Sequence, residues 1–195
     1  MLLKYNLPET ARYLGYKRGA KPSEVICELI DEAYDELCKI VDPKYIFMEY
    51  DFSQTENSIV VKGVEFKSRK LLNHLKGSTS VVLLAATLGQ NVDYLISEYS
   101  KTDVAMAAVI QAVSSSLIEN FCDIICDSLK EELKGIHRSR FSPGYGDLDL
   151  VYQKEFFNLL PVAEILNVYL NDGFMMTPTK TVTAFIGINK SPLSC

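Results

Sequence analysis

The spacing of hydrophobic and polar positions changes several times along the chain, and each change predicts an element. Ser23 stands as an N-cap before a helix. Its apolar positions Val25, Ile26, Leu29, Ile30, Ala33, Leu37, Ile40 and Val41 recur at helical spacing, and Glu28, Asp31, Glu32, Asp35 and Glu36 cover the other face. Asp42-Pro43 ends this helix, because proline disfavours α geometry in the residue before it. The period then becomes two: Ile46, Met48, Tyr50 and Phe52 alternate with Phe47, Glu49 and Asp51, as in a half-buried strand. Ile59–Val61 and Val64–Phe66 flank Lys62-Gly63, which suits a hairpin if Gly63 takes positive φ. A short helix from Ser68 to Lys76 follows.

Ser80 to Thr87 is a continuous apolar run, the pattern of a central strand covered on both faces. Gly89 turns the chain into an amphipathic helix carrying Val92, Leu95 and Ile96. Thr102-Asp103 caps a long helix from about Val104 to Lys134, apolar almost all round in its first half, and such a helix belongs in the middle of a fold. Gly135 ends it. A non-periodic loop, His137 to Asp149, leads to helices around Val151–Leu160 and Val162–Asn167 and a last strand from Thr179 to Ile188. The expected fold is α+β: one domain over residues 1–195, with a twisted, mainly antiparallel sheet, a long central helix and further packed helices.

Composition narrows the function classes. With 195 residues and 48% apolar positions, the chain can bury roughly 70% of its unfolded surface, so it needs neither metals nor disulfides to hold a core. Twenty basic against 25 acidic residues give a formal charge of −5, and no Lys/Arg block exceeds a dipeptide. A phosphate-tracking footprint is missing, so nucleic acid is not an expected partner. No run approaches the roughly 18 apolar residues of a membrane span, and the N-terminus shows no signal-peptide pattern. Five cysteines (Cys27, Cys38, Cys122, Cys126 and Cys195) without framework spacing read as reduced thiols, which places the protein in the cytoplasm.

Few residues offer chemistry. His74 and His137 lack the i, i+4 partner of a metal-binding helix, so neither a metal site nor a histidine-based triad is expected. Cys122 and Cys126 lie one turn apart; the burial preference of cysteine favours packing over metal ligation. Ser114-Ser115-Ser116 offers hydroxyls, but small side chains also let a helix approach its neighbours. Thr87-Leu88-Gly89 is a strand-to-helix turn without the glycine pattern of a nucleotide-phosphate loop. The segment Arg138-Ser139-Arg140-Phe141-Ser142-Pro143-Gly144-Tyr145-Gly146-Asp147 gathers two guanidinium groups, two aromatics and two glycines. Arginine pairs with a carboxylate through two charge-assisted hydrogen bonds, tyrosine covers an adenine or a sulfonium, and glycine lets backbone come close to a ligand. A stiff surface turn with its arginines in solvent has the same composition.

At this loop the sequence resembles the activation domain of cobalamin-dependent methionine synthase, above all its short stand-alone relatives. That family carries an R-x-x-x-G-Y motif, matched here by Arg140, Gly144 and Tyr145. Arg12-Tyr13-Leu14-Gly15-Tyr16, Ala85-Ala86-Thr87-Leu88-Gly89, Ser116-Leu117-Ile118-Glu119, Phe141 to Leu148, Gln153 and Phe174 to Gly187 extend the likeness over most of the chain. The resemblance implies an S-adenosylmethionine-binding accessory protein. It would present the methyl donor for reductive methylation of cob(II)alamin on a separate methionine synthase, with a flavodoxin-type protein as a possible electron donor. No catalytic residue is implied, because the reactive electron pair belongs to the cofactor.

By the same resemblance Arg140 would pair with the ligand carboxylate, and Pro143, Gly144 and Tyr145 would shape the pocket. Glu119 would lie near the ligand, or would be an exposed helix charge, and Thr177-Pro178-Thr179-Lys180 would line the same cleft. The chain departs from the full-length enzyme after Tyr145, where Gly146-Asp147-Leu148-Asp149 replaces a P-A-C-P-D-H-type stretch. It has no room for cobalamin, folate or homocysteine modules. It would therefore be a component of methionine synthase activity and not the complete enzyme. Two other roles fit the same residues: a non-catalytic protein docking on a corrinoid protein, and a reactivator of a different corrinoid methyltransferase.

Overall fold

The computed structural model describes residues 3–190; Cys195 lies outside them. A four-stranded antiparallel sheet forms the middle layer. Its strands are β1 (Lys44–Tyr50), β5 (Ser80–Thr87), β9 (Thr181–Asn189) and β6 (Ile136–His137), in the order β1-β5-β9-β6. Thr87 faces Lys44 on one side and Thr181 on the other, so β5 is central. All eight β5 residues are buried, because both faces of the sheet are covered.

Val82, Leu84, Ala86, Ile186 and Ile188 point to the helical layer. That layer holds α1 (Leu7–Tyr13), α2 (Glu24–Ile40), α4 (Asn91–Thr102) and α5 (Val104–Glu132). Ser23 caps α2 through Ile26 N, and Ile30, Ala33 and Leu37 form its buried stripe. Asp103 caps α5 through Met106 N at 3.0 Å. By length and composition α5 is apolar enough to cross a membrane, yet it packs against α1, α2, α4 and the sheet. Burial on several sides explains why its apolar residues show no single stripe.

The opposite face, with Val81, Leu83, Ala85 and Phe185, carries a second core. Over it lie a small sheet of β2 (Phe52–Gln54), β3 (Ser58–Val61) and β4 (Val64–Lys67), together with α3 (Arg69–His74), α6 (Gln153–Leu159) and α7 (Val162–Leu166). Phe185 sits at the centre of this core, edge-on to Phe66 at 5.0 Å and to Phe156 at 4.8 Å. The β3–β4 turn has Lys62 at φ 51° and Gly63 at φ 83°. Positive φ at both central residues is the turn whose twist matches a hairpin.

Several expectations need correction. The strand expected from Ile46 to Phe52 breaks at Asp51 and divides between two sheets. The helix expected from Val151 begins as a 3-10 turn, Leu150–Tyr152, before α6. Periodicity did not reveal α1, which is only about two turns long and is capped by Asn6 through Glu9 N. It also missed the ribbon of β7 (Tyr169–Leu170) and β8 (Met176–Thr177), whose strands are too short to show alternation.

Candidate functional site

The C-terminal half of α5, the segment from Ile136 to Asp149 and one edge of β9 enclose a cleft of about 780 Å³. That volume lies within the range of small-molecule sites. Helical spacing brings Glu119, Asp123, Cys126, Asp127 and Lys130 onto the α5 wall.

The facing wall begins as β6 and stays on β9 until Phe141. His137 opposes Ile188, and Phe141 opposes Phe185. Four steps on one strand therefore match three on the other, which makes a β-bulge. A bulge re-aims side chains, and here it separates the two arginines that the sequence brings together. Arg138 donates to the Lys76 carbonyl at 2.6 Å. Arg140 turns to α5, where Nη2 donates to Glu119 Oε2 at 2.7 Å and Nη1 to Asp123 Oδ1 at 2.7 Å. Nη1 also lies 3.6 Å from Cys126 Sγ. Gly187 lets the bulge lie close to the sheet, because a Cβ there would meet Leu75 Cδ2 at 2.8 Å and Arg138 Cγ at 3.2 Å.

Charge in this corner is settled by those contacts. Burial opposes the Arg140 cation, but the Asp123 hydrogen bond and the neighbouring thiols outweigh it and raise its pKa. The Cys122 thiol behind it is pushed up to about 12, mainly by burial. Of the five guanidinium N–H donors, one at Nε and one at Nη2 have no partner among the described residues. Arg140 can thus receive a ligand carboxylate only beside, or in place of, its two protein acids. The Glu119 side chain is 31% exposed and that of Asp123 68%, so Asp123 is the more easily displaced.

Pro143 and Tyr145 line the cleft. Gly144 does not; at φ 89° it makes the turn between them, donating from its N–H to Leu148 O at 2.8 Å. The Tyr145 ring leans edge-on to Phe141 at 6.4 Å and is 59% exposed, which leaves a face free for a ligand. Asp147 anchors the far end of the loop. Its carboxylate accepts from the Ser68 hydroxyl and from the backbone N–H groups of Arg69 at 3.0 Å and Lys70 at 3.2 Å. The Ser68 hydrogen bond, with those of the α3 backbone, holds the Asp147 carboxyl below the usual range.

The turn Thr177-Pro178-Thr179-Lys180 does not line the cleft; Met176 before it and Thr181 after it do. Lys180 points the other way. Its Nζ donates to Ser115 Oγ at 2.8 Å and to Gln111 O at 3.2 Å. Burial pulls its pKa down to about 8, against the attraction of Asp93. The serine run is therefore a packing and hydrogen-bonding surface: Ser116 accepts from Asn6 N and Ser114 bonds back to Ile110 O.

Three site residues escaped sequence reasoning as chemistry. Asp123 carried a signal in its position one turn after Glu119. Asp147 looked like an ordinary loop acid. Gln153 entered only as part of the family likeness, with no role attached, yet it is 4% exposed, lines the cleft and accepts from Thr183 Oγ1 at 2.6 Å. Among the described residues no group of three or more His, Cys, Asp or Glu side chains could hold a metal.

No family model matches the chain, and no curated protein matches it either. Among solved structures, the chain is similar to one titled "Crystal Structure of the MetH Reactivation Domain bound to AdoHcy". The TM-score is 0.72 at 16% sequence identity, over 96% of this chain and 75% of that chain. At that identity the likeness concerns the fold. The polypeptide therefore has the α+β fold of a MetH reactivation domain, with the long helix and the antiparallel sheet in its centre.

Proposed function

We propose that this protein binds S-adenosylmethionine in the α5–β9 cleft and presents its methyl group to a cobalamin carried by a separate methionine synthase. The observation that carries this reading is the coincidence of the R-x-x-x-G-Y loop with a ligand-sized cleft, in a fold whose solved counterpart was crystallised with AdoHcy. Arg140 supplies N–H donors for the carboxylate. Glu119 and Asp123 supply negative charge near the amine and sulfonium, and Tyr145 supplies a ring face.

The chain's own residues place the donor and do no bond-making. The partner's cobalamin would supply the electron pair at the cob(I) level, after cob(II)alamin gains one electron from a donor such as a flavodoxin-type protein. The methyl group would leave the sulfonium for that cofactor, and the sulfur would keep the C–S bonding pair as a neutral thioether. Holding the sulfonium at a fixed place makes that transfer effectively unimolecular. The cytoplasm is the setting this role requires.

A second reading, a docking protein that keeps the fold without a donor, draws on the pairing of Arg140 with two acids. Thermal unfolding with S-adenosylmethionine and with AdoHcy separates the two. At 100 times Kd a ligand adds about 2.7 kcal/mol, roughly 5–10 °C for a chain of this size. Arg140→Ala is expected to weaken binding by about 1.5–3 kcal/mol in calorimetry. No shift at millimolar ligand selects the docking protein.

A further inference from the structure

The polar floor of the cleft has unused hydrogen-bonding capacity. Gln153 is 4% exposed and Thr183 1%, yet both line the cleft. The Thr183 hydroxyl donates to Gln153 Oε1, so the amide oxygen is engaged, while Gln153 Nε2 has no partner among the described residues. That NH₂ is not sealed off inside the protein, so its donors open on the cleft and are available to a ligand.

Backbone groups extend this array. In β9, Phe185 and Gly187 turn their N–H and C=O groups away from β5, toward the segment Arg138–Phe141. Strand alternation gives Thr183 the same direction. The covering segment departs at Ser142, so the Thr183 N–H and C=O face the cleft without a partner among the described residues. Two donors, Gln153 Nε2 and Thr183 N, therefore stand beside one acceptor, Thr183 O, on a floor shielded from solvent.

We infer that Gln153 and the uncovered β9 edge at Thr183 form a specificity subsite for the edge of a 6-aminopurine ring. The exocyclic amine donates to Thr183 O, and a ring nitrogen accepts from Gln153 Nε2 or Thr183 N. A 6-oxopurine reverses both roles, presenting an acceptor to the carbonyl and a ring N–H to the donors. Arg140, on the α5 side of the cleft, is left to the carboxylate end of the ligand. This inference rests on the proposed binding of S-adenosylmethionine and adds which residues read its base.

The test is calorimetry of the whole chain with AdoHcy and with its 6-oxo analogue, S-inosylhomocysteine. Wild type should bind AdoHcy at least tenfold more tightly. Gln153→Leu should lose about tenfold in AdoHcy affinity and most of the preference. Gln153→Glu is isosteric and keeps an acceptor for Thr183, so it guards against a folding defect in the leucine variant; it should lose the preference too. If wild type binds AdoHcy but does not prefer it, or if both variants keep the wild-type preference, this subsite is overturned and the ligand reading stands. If wild type binds neither compound, both fall.

Discussion

A single buried cation shows how much one residue's surroundings decide. Lys180 is 5% exposed and has no ion-pair partner among the described residues, only the Ser115 hydroxyl and the Gln111 carbonyl. Burial lowers its pKa to about 8, whereas an unfolded lysine titrates near 10.4. Between those values the unfolded chain binds more protons than the native one, so this residue makes stability rise with pH through that window. The gain approaches about 3 kcal/mol. It is fully present above the unfolded value and lost as pH falls through about 8. Denaturation curves of wild type and Lys180→Met, compared from pH 7.5 to 10.5, should converge toward high pH; parallel curves would refute the assignment. Nothing in Thr177-Pro178-Thr179-Lys180 as a string distinguishes a lysine facing a ligand from one facing a helix.

At the scale of elements, the loop after β6 is held at both ends. The bulge on β9 fixes its start, and Asp147 on α3 fixes its end. The Asp147 pKa is depressed, so its contribution is present above the unfolded carboxylate value near 3.9 and disappears as pH falls through the lower folded value. Asp147→Ala should therefore increase proteolysis between Arg138 and Asp149 at neutral pH. Wild type should acquire the same sensitivity only in strong acid, in an assay using an acid-active protease. Local patterns made most elements legible: Ser23 and Asp103 as caps, the Ser80–Thr87 run as a strand buried on both faces, and Lys62-Gly63 as a hairpin turn. The bulge was not legible. It arises from a register offset between His137 and Phe141 that only pairing with β9 reveals, and it sends Arg138 and Arg140 to different neighbours.

Across the whole molecule, one sheet serves two cores, and Phe185 links one of them to the site. Its ring packs between Phe66 and Phe156, while its backbone bonds to Phe141 at 2.8 and 2.9 Å. Phe185→Ala should cost about 3–5 kcal/mol in denaturant unfolding, as removal of a buried aromatic does. A loss below about 1 kcal/mol would show that this core is not packed as described. The family resemblance grouped Arg140, Pro143, Gly144, Tyr145 and Glu119; all but Gly144 line one cleft, and Gly144 makes the turn between Pro143 and Tyr145. Sequence reasoning missed Asp123 as the partner of Arg140 and Gln153 as part of the floor, because each depends on a neighbour far along the chain.

The order of strands also sets when the cleft can exist. Thr87 and Thr181 meet across 94 positions, and β9 joins the central strand, the bulge and the floor. A nascent polypeptide still short of residue 181 holds Arg140, Tyr145 and Glu119 but has nothing to seat them on. Folding intermediates without β9 thus lack the cleft, which is completed in one late step when β9 enters between β5 and the arginine loop.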